Sequence, residues 1–255
     1  MKTLVLKSSP KKNGNTATLA DQLIEGLRDV GHTDITSFDL NDLDIRACQG
    51  CNRCLKPPYS GCIQNDDYAT IHPVFRDADL LVFAAPIYWW HLCAQMKTFI
   101  DRMHPMLTFD REHCLPTKNL VLLTAHYAED PYGVDLAIRT LDSIAGWAGM
   151  DFHAIRFHSA AGPVQNDGAK LAEARDLGRS FTDWKRPELT VGCPVAGCRF
   201  RFRSPQHAAR HLVMGAGAEH LEWKAEHLST IHTLRNTEEL VREAVPILEL
   251  QAGAE

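Results

Sequence analysis

Five short apolar runs alternate with amphipathic stretches over residues 1–184, and that beat leaves few folds open. Thr3–Leu6, Ile35–Leu40, Leu80–Ala85, Leu120–Thr124 and Phe152–Phe157 have the length of strands. Between them Asn15–Val30, Asp66–Arg76, Leu92–Met103 and Val134–Ala148 carry helical spacing, and Gly168–Trp184 closes the series. Leu19, Leu23, Ile24 and Leu27 mark one face of the first helix, which Gly31 ends. Asp66 and Asp67 suit the positive end of the second. The run LLVFAA has no polar alternation, as a strand covered on both faces requires. The chain is therefore expected to be α/β, a doubly wound parallel sheet of five strands in the order 2-1-3-4-5. Ligands of such sheets lie off the carboxyl ends of the strands, so the segments following each run are where chemistry is to be sought.

The first run leads straight into SSPKKNGNT, residues 8–16, and then into a helix. A phosphomonoester needs N–H and O–H donors converging at a helix N-terminus. Ser9, Asn15 and Thr16 supply donors, Lys11 a cation and Gly14 a tight turn; the same residue types also serve as a plain loop and helix cap. No Gly-x-x-x-x-Gly-Lys-Ser/Thr run occurs, which argues against a nucleotide P-loop. The third run ends in PIYWW, where Pro86, Ile87, Tyr88, Trp89 and Trp90 form a wall suited to a flat π system or to a subunit contact. After the fourth run, Thr124 and His126 are expected to face the same ligand.

SSPKKNGNTATLA resembles the opening motif of the NADPH-dependent FMN reductase family, within the flavodoxin-like superfamily, whose pattern is near Gly-Ser-Pro-Arg-x-x-Gly-Asn-Thr. Ser8 stands in place of that Gly and Lys11 in place of the Arg, which keeps a cation and gives up its bidentate fork. PIYWW, followed by Lys97, Asp101 and Arg102, is similar to the family's Pro-x-Tyr-Trp segment with its Lys and Asp-Arg; these last three are read as bracing the helix. The resemblance covers residues 1 to about 184. It implies a flavodoxin-like fold holding FMN non-covalently, through Ser9, Lys11, Asn15, Thr16, Pro86, Ile87, Tyr88, Trp89, Thr124 and His126. It also implies NAD(P)H as co-substrate, a homo-oligomer, and no catalytic acid or nucleophile, because the flavin carries the hydride. The lack of Gly-x-Gly-x-x-Gly fits transient docking of the dinucleotide.

Cys48, Cys51, Cys54 and Cys62 form a C-x2-C-x2-C-x7-C run too compact for unstrained disulfides. Such a run suits an iron–sulfur cluster, with free thiols lining a substrate entrance as the alternative. ACQGCNRCLKPPYSGCIQNDDY resembles the compact motif of archaeal iron–sulfur flavoproteins, which implies a 4Fe–4S cluster on these cysteines. It equally resembles the loop of related oxidoreductases in which a cluster is not established.

The composition changes after Arg186-Pro187, and the chain is read as residues 1–185, a small module 186–235, and a terminal helix and tail 236–255. The module reads C-x4-C-x12-H, with a further histidine nine residues on. Two cysteines on a turn and a histidine on a helix suit tetrahedral zinc. Cys193, Cys198, His211 and His220 are the expected ligands, with His207 and His227 as rivals for the fourth place. Phe202 and Ala208 stand where a two-cysteine, two-histidine finger packs its core, so the string resembles that finger. Arg199, Arg201 and Arg203 alternate with Phe200 and Phe202, which on a strand separates cations from aromatics.

A net charge of −5 argues against a surface built for nucleic acid, though not against a local basic patch. The N-terminal apolar run is too short for a signal peptide and no membrane-length run follows, so a cytoplasmic protein with reduced thiols is expected. The leading expectation is an FMN-dependent NAD(P)H oxidoreductase passing electrons to a quinone, flavin or other small acceptor, with the 4Fe–4S cluster as a further carrier. The alternative is a redox-responsive flavoprotein whose zinc module binds DNA or a protein partner.

Overall fold

The computed structural model describes residues 1–56, 61–108, 115–128, 132–215, 217–229 and 237–252. They fall into two compact units: 1–114 with 119–140 and 153–185, and 115–118 with 141–152 and 186–255. The strands of the main sheet are β1 (Thr3–Lys7), β2 (Ile35–Asp39), β3 (Leu80–Tyr88), the two-residue β4 (His91–Leu92), β5 (Asn119–His126) and β6 (Asp151–His158). They run in the order β2-β1-β3-β5-β6, with β4 as an antiparallel hairpin partner of β3. β1 pairs in parallel with β2 and β3, and β3 with β5. Counted over the five long strands this is the expected order 2-1-3-4-5; only the hairpin strand shifts the numbering.

Successive side chains on each strand point to opposite faces, so one apolar strand serves two layers. Val5, Val82, Ala84, Val121 and Leu123 meet Leu19, Ala20, Leu23 and Leu27 of α1 (Asn15–Asp29). On the other side Phe83 meets Phe99 edge to face at 5.8 Å, and Phe99 meets Phe75 at the same distance. Those two rings belong to α3 (Ala94–Asp101) and α2 (Tyr68–Asp77). α4 (Tyr132–Ala148) and α5 (Gly168–Arg179) complete the α/β series.

Several boundaries differ from the sequence expectation, three of them for reasons the side chains give. α2 begins at Tyr68, because the Asp66 and Asp67 carboxylates accept the backbone N–H groups of Arg46 and Asp44 instead of entering the helix. Leu92 is drawn into the hairpin, so α3 begins two residues later. α5 ends at Arg179, whose guanidinium, with that of Arg175, binds Asp29 on α1.

The second unit has a two-stranded antiparallel ribbon, β7 (Val191–Gly192) and β8 (Arg201–Phe202), followed by α6 (Pro205–Met214), α7 (Ala218–His227) and α8 (Thr237–Ala252). Its core joins Val191, Phe202, Ala208, Leu212, Trp223 and Leu240. The terminal helix is thus part of the module's own core, contributing also Val241, Ala244 and Leu248, rather than a separate element. Asn236, its expected first residue, lies outside the described residues. The row of cations is also not a free face. Arg203 pairs with Asp151 and donates to the carbonyls of Pro116 (2.8 Å) and Lys118 (3.1 Å), while Arg201 donates to that of Thr190 (2.9 Å). Both side chains are committed within the unit, which removes two of the three charges from any DNA-reading row. Among the described residues no helix is long and apolar enough to cross a membrane.

α1 and α5 cross at two glycines. A Cβ on Gly26 would overlap the carbonyl of Arg175, and one on Gly178 the carbonyl of Leu23. The Gly26→Ala variant is expected to lose about 2–3 kcal/mol of stability, the ordinary cost of overpacking, read as a lower urea midpoint at unchanged slope.

Candidate functional site

The register of β1 with β3 sets Lys7 opposite Ala84. One residue on, the Ser8 amide and hydroxyl both donate to the Ala84 carbonyl, at 3.0 and 3.2 Å. The buried Cys93 thiol lies 3.1 Å from the Ser8 hydroxyl. The Ser9 carbonyl accepts the Asn41 amide at 2.9 Å, and Gln95 donates to the Asn41 carbonyl at 2.9 Å. These bonds tie the segments leaving β1, β2 and β3 into one edge. Asn41, Gln95 and Cys93 carried no local motif that would have singled them out.

α1 starts from this edge. Gly14 is its N-cap and provides no side-chain cap. The first-turn N–H groups of Asn15, Thr16 and Ala17 therefore lack both intrahelical and capping acceptors, at the positive end of the helix dipole. The Ser9 hydroxyl accepts the Lys11 amide at 3.2 Å. Lys11 is exposed, whereas the Lys12 ammonium is held 2.7 Å from Asp42, which raises its pKa. Thr16 is buried, and the Asn15 side-chain Oδ1 accepts the Val164 amide at 3.0 Å. Asn15 thus holds the cradle to a neighbouring segment, a use that its place in the motif did not indicate.

β3 ends in a tight hairpin in which Tyr88 pairs with His91. The two residues between them, Trp89 and Trp90, have φ of +47° and +62°. Positive φ at both central positions is the type I′ arrangement that favours Asn and Gly; bulky residues there cost roughly 1–2 kcal/mol each. Trp89 is 89% exposed, so little burial offsets that cost. His91 braces the hairpin through Thr140 at 3.2 Å, and Gly133 leaves room for the Trp90 ring. Pro86 is buried, and its carbonyl accepts the Cys93 amide at 3.2 Å; Ile87 is half-buried. Thr124 is fully buried and donates to the Ala85 carbonyl at 2.8 Å, so its hydroxyl clamps β5 to β3 instead of facing the loop. His126 stacks on His158 with ring centroids 5.2 Å apart.

Cys48, Cys51, Cys54 and Cys62 line one pocket, together with Asp101 and Arg102. Cys48 and Cys51 are exposed and Cys54 is buried. Burial, and then the Cys62 thiol, push the Cys54 thiol up. Beneath the pocket Arg102, only 1% exposed, forks onto Asp66 at 2.7 and 3.0 Å, donates to the Arg46 carbonyl at 2.7 Å, and lies 4.6 Å from the Tyr68 ring centre. Burial alone would raise the Asp66 pKa; the Arg102 guanidinium and the N–H groups of Arg46 and Tyr68 outweigh it and hold the carboxyl below its usual range. Lys97 and Asp101 brace α3 as expected, at 2.5 Å. Arg102 does more, pinning the end of α3 to the start of the cysteine loop. Among the described residues, two buried polar atoms near this pocket, Tyr68 Oη and Gln64 Oε1, have no hydrogen-bond partner.

In the second unit the ligand atoms of Cys193, Cys198, His211 and His220 lie within 4.8 Å of one another. The histidine that joins this group as the fourth member is His220. His207 is turned to Asp151 at 2.8 Å, and His227 stacks on Trp223 with centroids 4.5 Å apart. The Cys193 thiol, and to a lesser extent His211, draw Cys198 down to about 3, while the same thiol contact pushes Cys193 up.

Comparison with known proteins bears on the first unit. The profile of a family described by its flavodoxin-like fold matches residues 1–179. An iron–sulfur flavoprotein of Archaeoglobus fulgidus is 33% identical over 105 residues, 41% of this chain and 46% of that protein. YwqN of Bacillus subtilis, named as an NAD(P)H-dependent FMN-containing oxidoreductase, is 31% identical over 103 residues, 40% of this chain and 51% of that protein. The chain thus spans about half the length of the curated relatives it matches. Among solved structures, the NAD(P)H:quinone oxidoreductase from Methanothermobacter marburgensis superposes with a TM-score of 0.56 at 21% identity, covering 71% of this chain and 96% of that one.

The Arg102–Asp66 pair makes two predictions. Arg102→Leu is expected to cost about 3–5 kcal/mol, because it leaves the Asp66 carboxylate buried and unpaired; Asp66→Asn with Arg102→Leu recovers part of that loss in a double-mutant cycle. Since the folded Asp66 pKa is depressed, its contribution is present above the unfolded carboxyl value of about 3.9 and is lost as pH falls below it. Acid unfolding curves of the wild type carry this component, and those of Asp66→Asn lack it.

Proposed function

The chain belongs to the family with the flavodoxin-like fold, and on that premise we propose that it is an NAD(P)H-dependent oxidoreductase that holds FMN and passes electrons to a small acceptor such as a quinone or a free flavin. One observation carries the reading: the uncapped N-terminus of α1 and the strained aromatic hairpin of β3 leave the same sheet edge, bonded together through Ser8.

The donor chemistry fits a phosphorylated, flat, aromatic ligand. The open N–H groups of α1 and the Ser9 hydroxyl bind phosphate oxygens, and the Lys11 ammonium balances their charge. Trp89 and Tyr88 present aromatic faces to the ring, and Ile87 an apolar edge. Bound FMN supplies hydride and electron transfer, so no protein acid or nucleophile is required. Asn15 and Thr124 act behind the site, by holding its walls. The exposed Tyr88, Trp89, Trp90 and Tyr127 offer an apolar surface for a second copy of the chain.

The four thiols fit an iron–sulfur cluster, and the side chains of Arg102 and Gln64, with the unpartnered Gln64 oxygen, give them a polar lining. Cys48, Cys51, Cys54 and Cys62 would hold the cluster, which supplies single-electron transfer. The relatives named iron–sulfur flavoproteins support this part of the reading.

Purified protein is expected to bind FMN and to oxidise NADH or NADPH in the presence of a quinone; folded protein that takes up no FMN would end the reading. Lys11→Ala should weaken FMN about tenfold, a difference of about 1.4 kcal/mol, and leave riboflavin binding unchanged, because only the phosphate is contacted. Trp89→Asn should weaken both flavins several-fold while the melting temperature holds or rises, since Asn tolerates the left-handed backbone that Trp89 strains. Anaerobically purified protein is expected to contain iron and sulfide, and Cys51→Ser to lose both.

A further inference from the structure

The second unit carries a group of side chains that electron transfer through a flavin does not use. Cys193 and Cys198 lie on the turn joining β7 to β8, where the Cys193 amide bonds the Phe200 carbonyl at 3.0 Å and the Cys198 amide that of Val195 at 3.1 Å. His211 comes from α6 and His220 from the first turn of α7. The spacing of nine residues, too long for two histidines on one helix face, is met by a change of helix. Gly215 at the end of α6 makes the change possible, because a Cβ there would stand 2.7 Å from the His220 ring.

The ring of His211 is oriented by its surroundings. Its Nδ1 lies 2.5 Å from the Trp147 carbonyl, which can only accept, so Nδ1 carries a proton and Nε2 is the atom turned to the group. Nε2 faces Cys198 Sγ at 3.4 Å and His220 Nε2 at 3.1 Å, and His220 Nε2 in turn faces Cys193 Sγ at 3.7 Å. A zinc tetrahedron with bonds of about 2.3 Å to sulfur and about 2.0 Å to nitrogen has edges of about 3.3 Å between nitrogens and about 3.5 Å between nitrogen and sulfur. The three contacts follow those edges. The rings of Phe200 and Phe202, both 4.9 Å from His211, pack against its imidazole.

We propose that Cys193, Cys198, His211 and His220 bind one zinc ion, and that this ion is a structural centre organising the second unit. Two thiolates and two imidazoles in a tetrahedron select zinc over the hard, oxygen-seeking cations. Four protein ligands leave no position open for water or substrate, which separates the centre from a catalytic zinc. The centre joins the β7–β8 turn to two helices, and the second-sphere bond of His211 extends the clamp to Trp147.

The test uses the full chain. Protein purified from zinc-supplemented medium is expected to carry one zinc per chain by elemental analysis. After chelation, added cobalt should give the visible bands of tetrahedral thiolate coordination. His220→Asn should weaken zinc by about a hundredfold or more, since loss of a second-sphere partner alone costs about 10- to 100-fold, while His220→Cys, which restores a ligand, keeps it. His207→Asn and His227→Asn should bind as the wild type does. Chelation should expose residues 186–229 to protease while leaving 1–114 intact. Zinc-free wild type that takes up neither metal, or His220→Asn with undiminished affinity, overturns the proposal, and neither result depends on FMN.

Discussion

The parallel register of β1 and β3, closed by the two bonds from Ser8 to Ala84, is the constraint on which the candidate flavin site depends. Strands that run the same way end at the same edge. The loop leaving β1 and the hairpin leaving β3 therefore share that edge, and α1 begins there with its positive end outward. The serine that replaces the family's glycine at position 8 is buried in this pairing, where its hydroxyl adds a second bond to the carbonyl already held by its amide.

Around that edge the fold accepts local costs. Two tryptophans occupy backbone positions suited to asparagine and glycine, and one of them is almost wholly in solvent. Arg102 and Asp66 are both withdrawn from water, which is favourable only because the fork, the Arg46 carbonyl and the Tyr68 ring together satisfy most of the charge. In each case the surrounding structure over-determines the strained element: Gly133 and Thr140 for the hairpin, α3 and the cysteine loop for the ion pair. Strain of this kind gathers at places that bind ligands.

The second unit solves a different problem. Its ribbon has two residues per strand, and Ala208 and Ala209 contribute little bulk to the core. α8 supplies the missing apolar surface, and the proposed zinc on Cys193, Cys198, His211 and His220 would add the cross-link that a small core lacks. The arginines of β8 and its flank are then structural cations, committed to carbonyls and to Asp151.

Amino-acid order alone determined the elements whose signals are local. The periods of two and three-to-four residues, the apolar runs and the loop after β1 can each be recognised within a few consecutive positions, and so the sheet order and the grouping of Cys193, Cys198, His211 and His220 were legible. It did not disclose roles that depend on a distant partner. Asp66 looked like a helix start until Arg102, 36 positions away, claimed it, and the side-chain oxygen of Asn15 also accepts the amide of Val164, 149 positions away. Asn41 and Gln95 were invisible, and Thr124 was read as facing the ligand, for the same reason: a hydrogen bond across strands or loops leaves no spacing in the chain. The choice of His220 over His207 and His227 likewise waited on the turn after α6, where the absence of a side chain at Gly215 lets the ring swing inward. Short-range covalent geometry writes periodicity into a sequence, whereas side-chain pairing is decided only when packing brings separate segments within about 3 Å of each other.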